Sequence, residues 1–295
     1  MVIGLKAVIP LRSNRVTESL PLLAQLNHVV SLILLAFVFG HAFLFLCHID
    51  YQRNLLKASC VLLLSTMVID LAVTSLLLTE QSWSALSDSL ILVITKSQIG
   101  LLLVIKLLAS LCLVLSQFLL TAVWRQGCTV LSCLIISYSL AANGHSAEAG
   151  LWSYAVVIHT THLLAGCTWL GMIWLYLYYQ TRAYVQIVYF SQQLSEWALI
   201  CFLAILLTGF ADGIRMWQWS QGNWTTHYSQ LLGLKLGFLL LALVLAAYNR
   251  FLRLGIIQQH GRIDRGFNHI LLIESLLLVG IFIVATTLAN TDPSS

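Results

Sequence analysis

Eight apolar runs, each close to the length of a bilayer crossing, divide this chain almost from end to end. About 20 apolar residues span the hydrocarbon core, so runs of this length read as helices that pass through a membrane. They fall at roughly 26–48, 56–78, 99–124, 128–142, 152–179, 194–217, 229–251 and 267–290. The fourth is the shortest and carries Ser137, Tyr138 and Ser139. A further apolar stretch, 89–95, is too short to cross and is expected at the interface. The fold expected is all-α and polytopic, about eight transmembrane helices in one bundle. Residues 1–25 are expected to form an amphipathic extension, broken by Lys6, Arg12 and Arg15, with 26–290 as the membrane domain and 291–295 as a tail.

Composition excludes the main soluble alternatives. Charged residues make up 9% of the chain and mean hydropathy is +0.90, against about 25% charge in a soluble domain. The net charge of +4 sits mostly in loops, where it bears on orientation and offers nothing to nucleic acid. Seven cysteines occur without a Cys-x-x-Cys pair, so neither a disulfide framework nor a thiolate zinc site is implied. There is no Gly-x-x-x-x-Gly-Lys phosphate loop and no Asp-Lys-Thr-Gly motif, which argues against ATP-driven pumping.

Lys and Arg counts orient the bundle. Arg53, Lys57, Arg125, Arg182, Arg250, Arg253, Arg262 and Arg265 fall on one side; Lys6, Arg12, Arg15, Lys96 and Arg215 fall on the other. Basic residues favour the cytoplasmic side, so both termini are expected to face outward, which in a bacterium is the periplasm.

That frame sorts the polar side chains by depth. His159 and His162 are one turn apart on one helix and therefore share a face. They lie about 10–15 Å into the fifth run at 1.5 Å per residue. His28 opens the first run at the same outer face, and His145 lies in the loop before the fifth. Four histidines from three segments can thus converge in the outer half. Ionisable groups at such depth mark functional sites, and imidazole binds copper, zinc, nickel or iron. Asp70, Lys106 and Lys235 lie at similar depth in the outer half, and Asp70 should pair with one of the lysines, since a buried charge needs a partner. Glu274 is nearer the inner face. His41 and His48 on the first run, with Cys47 and Cys60, form a speculative inner relay, because thiolates select Cu(I).

The motifs resemble one family. Gly144-His145, then His159-Thr-Thr-His162, then Trp169-Leu-Gly171, is similar to the signature of the copper-resistance D family (CopD). The segment from Tyr228 to Lys235 and the run Ala247-Tyr-Asn249-Arg250 resemble its Leu-Lys and Asn-Arg segments. His28 and Glu274 also stand where that family tends to carry a His and an acid. The pattern departs from the family at Gly171-Met172, where Gly-Gly is usual, and the first 20 residues have no counterpart. The resemblance implies a non-enzymatic protein of the bacterial inner membrane that handles copper, as Cu(I) or Cu(II), beside a periplasmic CopC-like copper carrier. The other reading open at this stage is a membrane haem b protein with transmembrane histidines as axial ligands. His-x-x-His on one helix disfavours it, because axial ligands approach from opposite faces, but histidines from the first and fifth runs could still supply the two ligands. A scaffold subunit with no transport of its own is a third reading.

Overall fold

The computed structural model describes residues 15–49, 52–143, 150–180, 187–219, 227–289 and 291, with backbone alone at 15–18 and 215–219. Among the described residues ten α-helices follow in order: α1 Arg15–Leu46, α2 Arg53–Thr79, α3 Leu86–Lys96, α4 Gln98–Leu119, α5 Ala122–Ala141, α6 Tyr154–Tyr179, α7 Ile187–Trp219, α8 His227–Tyr248, α9 Leu254–His260 and α10 Arg265–Ala289. Among the described residues there is no strand. Seven of the helices are long and apolar enough to cross a membrane. The fold is that of an all-α polytopic membrane protein.

The fourth expected run forms α5, of 20 residues, about 30 Å at 1.5 Å per residue. It is less apolar than the seven because it turns Gln126, Thr129, Ser132, Ser137 and Ser139 into the bundle. The stretch 89–95 lies within the short α3, which buries Ser89 and Val93 and exposes Ile91, Leu92 and Ile94. The extension does not stay separate from residue 15 onward, because Arg15 already begins α1. Helix ends carry their own signals. Ser97 Oγ accepts from Gly100 N–H at 2.8 Å to open α4, and the Asp264 carboxylate accepts from Gly266 and Phe267 N–H to open α10. Both satisfy donors that a helix start leaves free.

Packing centres on α1 and α6. Ala36 and Gly40, one turn apart on α1, meet Gly171 of α6, where an added Cβ would stand 1.9 Å from the Ala36 carbonyl oxygen. Lipid tails are as apolar as leucine, so helices in a bilayer associate through such close backbone approach. Trp169, Leu170, Met172, Ile173 and Tyr176 around the crossing are fully buried. Elsewhere α8 packs on α10 and α7 on α6, while α7 and α8 meet only weakly. Because the helices alternate in direction, the start of α6, the starts of α4 and α8 and the ends of α2 and α7 share one end of the bundle. It is called the histidine end below.

Candidate metal centre

α6 carries His159 and His162 through its second and third turns, one residue exposed and the other half-buried. Their partners come from α7. His162 Nδ1 lies 3.0 Å from Thr208 Oγ1, and Thr208 spends its own hydroxyl proton on the Ala204 carbonyl oxygen at 2.6 Å. A hydroxyl has one proton, so in this arrangement His162 Nδ1–H is the donor to Thr208. The imidazole Nε2 then keeps its lone pair. His159 Nδ1 stands 3.6 Å from Asp212 Oδ2, and a carboxylate there favours the same tautomer. Metal-binding histidines are typically oriented in this way, with the second ring nitrogen held by a carboxylate or another acceptor.

Cations frame the pair. Lys235 of α8 lies within electrostatic reach of Asp212 and His162. On the far side, His28 of α1 lies within reach of Asp70, Lys106 and His159. Lys106 Nζ, 1% exposed, forms an ion pair with Asp70. Of the two lysines expected near Asp70, Lys106 takes it, and Lys235 faces Asp212 instead. The site thus draws side chains from six helices: α1, α2, α4, α6, α7 and α8.

The four-histidine set is only partly brought together. His28, His159 and His162 share the histidine end, but among the described residues no three His, Cys, Asp or Glu side chains form a group that could hold a metal ion. His145 lies outside the described residues. Glu274 is remote from the other charges considered, accepting the Trp169 indole N–H at 2.8 Å in the other half of the bundle.

The four inner residues are dispersed by the end of α1. The helix stops at Leu46, and His48 follows in a left-handed turn with φ 53°, exposed, so it shares no helix face with His41. His41 is fully buried, its Nδ1 2.8 Å from the Phe37 carbonyl oxygen and its ring edge-on to Tyr179. Cys47 donates to Gln193 Oε1 at 3.6 Å. Cys60 lies in the core within electrostatic reach of Cys133, which also senses Cys167.

Two residues that complete the site escaped the sequence reading. Asp212 stands near the tryptophans that end α7, where an acid looks interfacial, and Thr208 looks like any helix threonine bonded back to its own turn. Their heptad neighbourhood holds the signal: four residues apart, they share a face.

No curated protein matches the chain. The histidine motif at 159–162 lies outside the segment that matches a known family, whereas Thr208, Asp212, Lys235 and Glu274 lie within it. Residues 188–288, from the first turn of α7 to the last of α10, match the family CopD, Copper resistance protein D.

Proposed function

We propose that this chain binds copper at the histidine end of its bundle and passes it across or into the bacterial inner membrane. Copper is the cargo, and it would rest on Nε2 of His159 and His162, with His145 and His28 completing the ligand set. The observation that carries this reading is the pair of Nδ1 contacts from α6 to Thr208 and Asp212. They favour the tautomer that leaves an Nε2 lone pair on each ring, and imidazole nitrogen suits copper in either oxidation state. Asp70, Lys106, Asp212 and Lys235 set the local field, two acids against two bases, so an arriving cation meets a balanced site. The match to CopD over α7–α10 supports copper as the metal.

With α5 counted as a crossing, eight helices bring the start of α1 and the end of α10 to one side. The basic residues at the opposite end support reading that side as the periplasm, and a CopC-like carrier would deliver copper there. The haem reading narrows on this geometry to His28 of α1 with the α6 histidines, since His28 lies within reach of His159 and His41 does not. His41 meets Tyr179, 17 residues along α6 from His162, about 25 Å at 1.5 Å per residue. Those two cannot ligate one haem. Metal analysis and a visible spectrum of the purified protein separate the readings: stoichiometric copper without a Soret band is expected, and a Soret band with no copper would overturn the proposal.

A further inference from the structure

A cavity of about 220 Å³ lies between α6, α7, α8 and α10, on the side of Glu274 and away from the histidines. Its wall is mostly hydrocarbon and indole, yet two buried polar side chains face it with an acceptor unused. Glu274 is 2% exposed; Oε1 accepts from Trp169, and Oε2 has no hydrogen-bond partner among the described residues. Asn249 is 3% exposed; Nδ2 donates to the Phe267 carbonyl oxygen at 3.3 Å, and Oδ1 has none. Buried polar atoms are almost always paired, so two bare acceptors in one cavity ask for a donor from outside the chain.

Local backbone puts them there. Asn249 opens a single π-helical turn, Asn249–Arg253, that interrupts the run from α8 to α9. Such turns occur often at functional sites. The same turn brings Arg250 to the wall, where Nη1 donates to the Ser195 carbonyl oxygen and Oγ at 2.9 and 2.8 Å.

The entrance faces lipid. α7 and α8 barely meet, and Leu199 and Phe251, both lining the cavity, are exposed apolar side chains on the bundle surface. A ligand that enters there is lipid-soluble. An acyl chain would leave both acceptors bare, and a hard cation wants six or more oxygens, more than this wall presents. A cavity of about 150 Å³ accepts benzene, so the space here suits a substituted ring.

We propose that this cavity binds a lipid-soluble ring molecule of the quinol class, one hydroxyl donating to Glu274 Oε2 beside Asn249 and its second oxygen facing Arg250. Metal plays no part in the binding, so its outcome is independent of the copper reading.

The test uses the full chain in nanodiscs of saturated phosphatidylcholine, without added metal. The probes are a 1,4-benzoquinol with a decyl chain, kept reduced, and its dimethyl ether. Saturable quinol binding is expected, with the ether at least about tenfold weaker because it has no donor for either acceptor. Glu274→Gln keeps the bond from Trp169 but presents an amide in place of Oε2, so quinol affinity should fall by a similar factor. Ala198→Phe fills the cavity and should abolish binding while elution of the protein is unchanged. Equal binding of quinol and ether, a folded Glu274→Gln protein with full affinity, or no saturable quinol binding would each overturn the proposal. Should Glu274→Gln fail to fold, the paired probes and Ala198→Phe decide alone.

Discussion

The seam between α1 and α6 and the gap between α7 and α8 follow opposite rules. At the seam, Gly40 and Gly171 let two backbones approach until no side chain would fit between them. At the gap, the helices barely touch, and Gly233, Gly237 and Gly213 on them have nothing within 4 Å of where a Cβ would stand. Close approach maximises dispersion contact, the main cohesive force between helices in lipid, so α1 and α6 form the rigid half. The chemistry lies where that half meets the loose one: His162 on α6 bonds across to Thr208 on α7, Lys235 answers from α8, and the cavity sits beneath. The contrast suggests a division of labour, one half fixing positions and the other leaving room for cargo and ligand.

The sharpest way to break that comparison is to place a large side chain on each side. Gly171→Leu drives its side chain into the Ala36 carbonyl and should cost more than about 3 kcal/mol, leaving little folded protein by size-exclusion chromatography. Gly237→Leu meets open space and should change stability by less than about 0.5 kcal/mol in a thermal melt. Equal losses would mean the two halves are packed alike.

A second test concerns the buried ion pair between α2 and α4. Asp70→Asn leaves the Lys106 ammonium, 1% exposed, without its carboxylate, at about 3 kcal/mol. Lys106→Met in the same chain should recover much of that loss. Lys235→Met should not, because Lys235 lies within electrostatic reach of Asp212 and not of Asp70. Recovery with Lys235→Met would place the pairing on the wrong helix. Folded yield and melting temperature report both cases.

The smallest of these effects probes the junction between the halves. Thr208→Val preserves shape and removes the acceptor that holds His162 Nδ1–H. Loss of such a support weakens a metal site by about tenfold or more, while the melting temperature should hardly move. A calorimetric copper titration with unchanged affinity would show that Thr208 does not orient the ring.

Sequence patterning made the helices legible because hydrocarbon imposes one rule, a long apolar run, that every span obeys. It was weakest at α5, whose Thr129 and three serines serve a buried polar face and dilute that signal. Charge pairing was half legible: Asp70 at matching depth pointed to two lysines, but choosing between them needs the rotation of each helix about its axis, which depth does not give. His48 was misplaced for a local reason, since nothing in Leu46-Cys47-His48 marks the helix stop, and the left-handed turn is held by backbone bonds to Phe45 and Leu44. Asp212 went unweighed because its partner, His159, lies 53 residues away in sequence and meets it only once α6 and α7 pack. The cavity had no sequence signal at all: Glu274 is visible as a buried acid, but its unused oxygen is a fact of packing.

The central claim is that the histidine end holds copper, and copper binding by the purified chain tests it most directly. His159→Ala, His162→Ala and His145→Ala are each compared with His260→Ala, an exposed histidine at the C-terminus of α9 whose Nδ1 turns back to the Ile256 carbonyl. If the claim holds, each of the three first variants removes one coordinate bond from a shared site and leaves the helices packed. Copper affinity should fall at least about tenfold in all three, with unchanged elution, and His260→Ala should bind as wild type. Full copper occupancy in all three would contradict the account and reduce the α6 histidines to packing residues.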